Sequence, residues 1–171
     1  MRYLCVFIAL GAMSVNVYAE GPSAVRPIDP WAGETLDRAT RGSAFVRQLV
    51  AVIENENVIV HVVTAMVMPP GLGGMTQFVT AGNGYRYLRV TLLRSLDPQE
   101  RATLLGHELQ HACEIAASGA ADHDAVRRLF EDLSGRTHGR DLLFETKAAM
   151  MAERRVLREL RGRSASVPGS R

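Results

Sequence analysis

The spacing of apolar residues in the middle of the chain predicts three β-strands. Residues 57–67, NVIVHVVTAMV, are dense in β-branched side chains, which favour strands. Residues 75–81, MTQFVTA, and residues 85–93, YRYLRVTLL, form two further strand-like runs separated by GNG. A short connection of this kind is typical of a β-hairpin, so the last two strands are predicted to be neighbours.

Helical spacing predicts most of the remaining elements. Ser43 is placed to cap a helix over residues 44–56. The predicted apolar face of that helix comprises Phe45, Leu49, Val52 and Ile53. Residues 122–135 predict a short helix, and residues 141–160 predict a long last helix after a loop. The pattern indicates an α+β fold in which a small antiparallel or mixed sheet packs on helices.

The best-marked helix follows Asp97. A carboxylate at the cap, a proline at the first helical position and Glu100 three residues after the cap are typical of a helix N-terminus. The helix is predicted from Pro98 to Ser118. The motif HELQH, residues 107–111, is therefore expected inside a helix.

Both ends of the chain differ from its middle. Residues 1–19 contain one arginine, a short apolar run and small residues before Ala19, which predicts a secretory signal peptide. The run is too short to span a bilayer. We therefore expect cleavage near Ala19, export to the periplasm or beyond, and no stable membrane span afterwards. Residues 20–42 predict an irregular N-terminal arm, residues 43–161 a single domain, and residues 162–171 a disordered basic tail.

Composition and charge narrow the possible partners. The 171 residues suffice for one domain with a hydrophobic core, and 47% apolar with 22% charged residues is ordinary for a globular protein. A net charge of +2 gives no reason to expect nucleic acid as a partner. Cys5 lies in the signal peptide, so Cys113 has no disulfide partner. We interpret Cys113 as a small, buried apolar residue.

The HELQH motif combines metal-ligating and acid–base groups on one helix. Residues four apart lie one above the other, so His107 and His111 can aim ring nitrogens at one point. Imidazole nitrogens bind zinc at about 2.0–2.1 Å. Glu108 leans over the same point, where it can take a proton from water activated by the metal. The motif therefore predicts His107 and His111 as Zn²⁺ ligands and Glu108 as the general base of a hydrolase.

The stretch from Leu104 to Cys113 resembles the active-site helix of the zincin metallopeptidases. The resemblance implies a minimal zincin-like domain whose edge strand lines the substrate cleft, and residues 85–93 are placed to supply that strand. The chain as a whole also resembles small exported bacterial HExxH proteins. That group is itself uncharacterised, so this second likeness implies no substrate.

A catalytic zinc site has a third protein ligand. The metzincin pattern HExxHxxGxxH is excluded, because Glu114 and Ala117 occupy its glycine and last histidine positions. In gluzincins the third ligand is a glutamate on a later helix, and the resemblance points to Glu145. A carboxylate on a face of small residues needs a partner if it is buried, and zinc would be one. The small residues of that face are Ala148, Ala149 and Ala152.

Several alternatives to Glu145 stay open. Glu114, His123 and His138 are the other candidate third ligands, and Glu114 is better placed to support the site than to bind the metal. A residue that stabilises the oxyanion of the attacked carbonyl is also required. The candidates for that role are His138, Tyr85 and Tyr87.

The predicted function is hydrolysis of a peptide bond by a zinc metallopeptidase that acts on a peptide or protein. The alternative is a non-catalytic exported module on the same scaffold that binds a metal or another protein. The small size favours the alternative, because few residues are left to build a deep cleft. Glu108 favours the enzyme, because a purely structural metal site has no use for a base beside its first histidine.

Overall fold

A computed structural model describes residues 23–134 and 145–164 of the chain, and those residues form an α+β fold as predicted. The strands are β1 (Val25–Pro27), β2 (Val58–Ala65), β3 (Gly74–Gly82) and β4 (Tyr85–Leu93). The helices are α1 (Pro30–Gly42), α2 (Ala44–Glu54), α3 (Pro98–Ser118), α4 (His123–Ser134) and α5 (Lys147–Ser164). The predicted signal peptide lies outside the described residues. Within those residues, no helix has the length and apolar character needed to cross a membrane.

The four described strands form one mixed sheet in the order β1-β2-β4-β3. β1 pairs in parallel with β2, and β2 pairs in parallel with β4, whereas β3 runs antiparallel to β4. The β3–β4 hairpin turns at Asn83 and Gly84, whose φ angles are 54° and 78°. The expectation that residues 85–93 form the edge strand is wrong, because β2 pairs along the whole of β4 and leaves β3 at the edge.

The described helices pack against one face of the sheet and form the hydrophobic core with it. Alternate residues of the two central strands point into this core, because successive side chains of a strand face opposite sides. They are Val58, Val60, Val62, Leu88, Val90 and Leu92. The other face carries half-buried or exposed side chains such as His61, Tyr87 and Arg89. The two faces of the sheet therefore differ, and the described helices lie on the buried face.

Helix α3 is the central element of the helical layer, and its predicted bounds are confirmed. Its N-terminus is capped by Asp97, whose carboxylate accepts the backbone N–H groups of Gln99 at 2.7 Å and Glu100 at 3.0 Å. At its C-terminus the guanidinium of Arg86 donates to the carbonyls of Ile115 at 2.9 Å and Ala116 at 3.0 Å. A cation is favourable at that end of a helix dipole. Both ends of α3 are thus fixed.

The prediction of an irregular arm over residues 20–42 is wrong from β1 onward. Asp29 caps α1 by accepting the N–H of Ala32 at 3.0 Å, and its other carboxylate oxygen accepts the N–H of Thr64 in β2 at 2.7 Å. One side chain therefore begins the helix and joins it to the sheet. Pro30 does not prevent the helix, because a proline in the first helical turn has no hydrogen bond to lose.

Burial shows that this N-terminal part belongs to the domain. Val25, Ala32 and Ala39 are at most 1% exposed and lie in the main hydrophobic core. The buried guanidinium of Arg101 in α3 also donates to the hydroxyl of Thr35 in α1 at 2.7 Å. The predicted domain boundary at residue 43 is therefore wrong, and the domain includes β1 and α1.

Helix α2 is confirmed, with a different buried face from the one predicted. Ser43 caps it, and the Ser43 hydroxyl accepts the N–H of Val46 at 3.1 Å. The buried residues are Val46, Leu49 and Ile53, while Val52 is 47% exposed. Phe45 is half-buried, because it packs under the guanidinium of Arg155.

Helix α5 differs from its prediction at both ends. It begins at Lys147, because the hydroxyl of Thr146 accepts the N–H of Ala149 at 3.1 Å and acts as the cap. Glu145 therefore precedes the helix. The helix continues to Ser164, so the prediction of a disordered tail is wrong for residues 162–164. Residues 165–171 lie outside the described part of the chain.

Helices α3 and α5 approach each other closely at Gly106. A Cβ atom added there would lie 2.6 Å from Cγ2 of Val156, which is closer than a real Cβ contact. We expect Gly106→Ala to lower the free energy of unfolding by about 1–3 kcal/mol, because it overpacks this contact. Urea denaturation measures the effect. The double variant Gly106→Ala/Val156→Ala is the control and should recover part of the loss; no recovery would place the cost elsewhere.

Candidate metal centre

His107 and His111 face each other on the buried side of α3. Their exposed fractions are 4% and 6%. Their Nε2 atoms lie 3.1 Å apart, and the two rings stand at 72° to each other. The i, i+4 spacing of the motif therefore brings two ring nitrogens to one point, as the sequence predicts.

A carboxylate lies beside the opposite nitrogen of each ring. His111 Nδ1 is 2.9 Å from Oε2 of Glu114, and His107 Nδ1 is 3.3 Å from Oε2 of Glu153. A carboxylate only accepts hydrogen bonds, so it favours the tautomer that carries its proton on Nδ1. In that tautomer the lone pairs of both Nε2 atoms point into the space between the rings.

Two facing lone pairs at 3.1 Å repel each other unless a positive charge lies near both. Two zinc–nitrogen bonds of the usual length in a tetrahedral site place their nitrogens about 3.3 Å apart. The observed separation is close to that value. The two histidines therefore fit a zinc ion as a pair of ligands.

Glu145 lies beside this pair, although not where the prediction placed it. Its Oε2 is 3.5 Å from His107 Nε2, and its side chain is 59% exposed. The prediction of a buried carboxylate on a helix face is wrong, because Thr146 starts α5 one residue later. Of the alanines predicted to share its face, Ala149 and Ala152 are buried and Ala148 is exposed.

The described side chains do not enclose a metal ion as they stand. Within residues 23–134 and 145–164, no three His, Cys, Asp or Glu side chains converge on a common point. Glu145 reaches only the His107 side of the pair. Because its side chain is 59% exposed, its rotamer is not fixed by packing against the core.

Glu108 is a buried carboxylate beside the histidine pair. It is 4% exposed, and its Oε2 accepts a hydrogen bond from the Thr76 hydroxyl of β3 at 2.7 Å. Burial raises the pKa of Glu108, an effect that the Thr76 hydrogen bond only partly offsets. A Cβ atom at Gly74 would lie 2.7 Å from Glu108 Oε1 and 3.0 Å from Leu104 Cδ2, so any side chain there would crowd Glu108.

A cavity of about 210 Å³ opens next to these groups. Strand β3 and helix α4 form its walls, and His107, Glu108 and His111 lie at its inner end. The apolar lining residues include Leu72, Phe78, Val126 and Phe130. The cavity therefore joins the candidate metal centre to an apolar recess along the edge strand.

No family model, curated protein or solved structure matches the chain. The resemblance to the zincins accordingly rests on the residues around HELQH.

The alternative ligands lie in different places. Glu114 is on the Nδ1 side of His111, so it does not face the point that the two Nε2 atoms share. His123 lines the cavity and packs edge-on against Phe78 at 5.2 Å. His138 lies outside the described residues.

The two tyrosines proposed for the oxyanion lie away from this cavity. Tyr85 and Tyr87 are on β4 and line a separate depression that also includes Glu54. Their placement follows from the position of β4 inside the sheet rather than at its edge. The expectation that they act at the metal centre is therefore wrong.

Sequence reasoning missed Thr76 and Glu153 and correctly interpreted Cys113. No local pattern distinguishes a strand threonine or a helix glutamate that contacts a distant residue. Cys113 is buried on the α2 side of α3, where its thiol donates to the carbonyl of Leu49 at 3.6 Å. Burial raises the pKa of this thiol to about 12, which leaves it a poor metal ligand.

In the metal-free protein, we expect Glu108→Gln to raise the free energy of unfolding at pH 8 and to change it little at pH 4. Burial raises the pKa of Glu108 above its ordinary value of 4.5, so ionisation favours the unfolded chain increasingly as the pH rises toward the folded-state pKa. Glutamine keeps an acceptor for Thr76.

The measurement is urea denaturation with a chelator present at both pH values. Glu145→Gln is the matched control, because it removes an exposed carboxylate and should show no such gain at pH 8. A Glu108→Gln variant that is less stable than the unmutated protein at pH 8 would contradict this account.

Proposed function

We propose that this protein is a zinc metallopeptidase in which His107, His111 and Glu145 bind the metal and Glu108 is the general base. The observation that carries the proposal is the pair of Nε2 atoms facing each other at 3.1 Å, each on a ring with a carboxylate behind it. A buried carboxylate next to such a pair is what hydrolysis requires and what a structural metal site does not.

Zinc, when bound, supplies a Lewis acid that polarises a carbonyl and makes water acidic near pH 7. Glu108 takes the proton of the attacking water and delivers it to the leaving nitrogen. Thr76 holds Oε2 of Glu108, and no described residue donates a hydrogen bond to Oε1, so Oε1 is the atom that carries the proton. The raised pKa of Glu108 strengthens it as a base.

The cavity supports a peptide as the substrate class. Among the described strands β3 pairs only with β4, and an extended peptide can hydrogen-bond to the other edge of such a strand. The recess formed by Phe78, Val126 and Phe130 suits a large apolar side chain of that peptide. Export from the cytoplasm, expected from residues 1–19, is part of the same proposal.

One observation favours a second candidate function, a metal-binding module without catalysis. Glu145 approaches only His107, so the described side chains do not form a finished three-ligand site. A hydroxamate inhibitor separates the candidates, because it needs an open coordination position on the metal. Binding of the inhibitor to the zinc-loaded protein supports the enzyme, and its failure supports the module.

We expect purified Glu20–Arg171 to contain one zinc per chain by elemental mass spectrometry. Glu145→Ala should be depleted of zinc after dialysis, and His111→Ala should lose it, since each removes a proposed ligand. Glu100→Ala, on the same helix and away from the pair, is the control and should keep its zinc. A chain that takes up no zinc when the metal is offered would overturn the proposed function.

Glu108→Gln should retain zinc and lose peptide hydrolysis by at least about 10²-fold, because it removes the proton acceptor and not a ligand. A fluorogenic peptide library that includes large apolar residues measures the activity. Glu100→Gln is the matched control and should cleave as well as the unmutated protein. Cleavage by Glu108→Gln at the unmutated rate would exclude Glu108 as the base.

A further inference from the structure

We propose that Glu114 and Thr146 form a clamp that holds the proposed third ligand, Glu145, next to the histidine pair. This inference rests on the proposed zinc site and names two positioning residues for it. The clamp joins helix α3, which carries both histidines, to the N-terminus of α5, which follows Glu145 directly.

The Glu114 carboxylate uses both of its oxygens. Oε2 accepts from His111 Nδ1 at 2.9 Å, and Oε1 accepts from the Thr146 hydroxyl at 2.7 Å. The side chain is only 10% exposed. A carboxylate is costly to bury, and these two hydrogen bonds are what compensate it. Glu114 therefore connects one zinc ligand to the segment that bears another.

The Thr146 hydroxyl is also fully used. Thr146 is 3% exposed. Its hydroxyl donates its single proton to Glu114 and accepts the N–H of Ala149 at 3.1 Å. The same oxygen thus caps α5 and fixes where that helix begins relative to α3. Because Glu145 is the next residue toward the N-terminus, its backbone position follows from this bond.

The side chain of Glu145 itself has little else to hold it. The side chain is 59% exposed, and its Oε2 lies 3.5 Å from His107 Nε2. An exposed side chain samples many rotamers, and ordering it on a metal costs conformational entropy. A backbone fixed by the clamp limits that cost, so zinc affinity should depend on Thr146 even though Thr146 does not touch the metal.

The test is the zinc dissociation constant of the full chain, measured by competition with a fluorescent chelator. We expect Thr146→Val, which keeps the shape and removes the hydroxyl, to weaken zinc binding about 10- to 100-fold. Thr146→Ser keeps the hydroxyl and should bind zinc as the unmutated protein does. Far-UV circular dichroism and the thermal midpoint establish that each variant folds.

The decisive comparison is Thr146→Val in a chain that lacks the Glu145 carboxylate. In a Glu145→Ala background, Thr146→Val should change zinc affinity by less than about threefold, because its effect passes through Glu145. Glu114→Gln, which leaves the cap of α5 intact, serves if Thr146→Val does not fold. It should weaken zinc binding in both backgrounds, because Glu114 also supports His111, and by more when Glu145 is present; an equal loss in both backgrounds would overturn the clamp.

Two results would overturn the clamp while leaving the proposed function in place. One is zinc affinity of Thr146→Val equal to that of the unmutated protein. The other is an equal loss with and without Glu145, which would mean general damage to α5. A chain that binds no zinc at all would overturn the proposed function and the clamp together.

Discussion

Two imidazole rings hold their Nε2 atoms 3.1 Å apart inside the protein, and the surrounding structure serves to keep them there. With the proton of each ring on Nδ1, such a pair is electrostatically unfavourable by itself, because both lone pairs point at the same space. Carboxylates behind the rings fix this orientation: Glu114 from the same helix and Glu153 from α5. The charge of these carboxylates also makes the space between the rings attractive to a cation.

Contacts at both ends and along its apolar side fix the position of helix α3. Asp97 and Arg86 fix the two ends of α3, and the core of the sheet covers its apolar residues. Gly106 lets α5 come close, and that approach brings Glu153 to His107. The sheet supplies Thr76 of β3, helix α3 supplies the HELQH residues, and the last part of the described chain supplies Glu145 just before α5 and Glu153 within it.

Local signals in the sequence predicted the elements that have local causes. The bounds of α3 follow from Asp97 and Pro98, and the hairpin follows from the turn at Asn83. α1 was missed although Asp29 and Pro30 form the same cap and first-position proline that mark α3, because the surrounding prolines and glycines favour an irregular segment. Thr76 and Glu153 were missed because each lies on a different element from the site residue that it contacts. No local pattern marks such a contact.

The two oxygens of Glu108 differ in a way that limits the reaction we propose. Thr76 occupies Oε2, and Gly74 crosses next to Oε1 without a side chain. The Thr76 hydrogen bond favours one orientation of this carboxylate, so in the proposed reaction the proton is received and returned on Oε1. The missing side chain at position 74 leaves space beside that oxygen, so in the proposed reaction water and leaving group would both meet the base next to the backbone of β3.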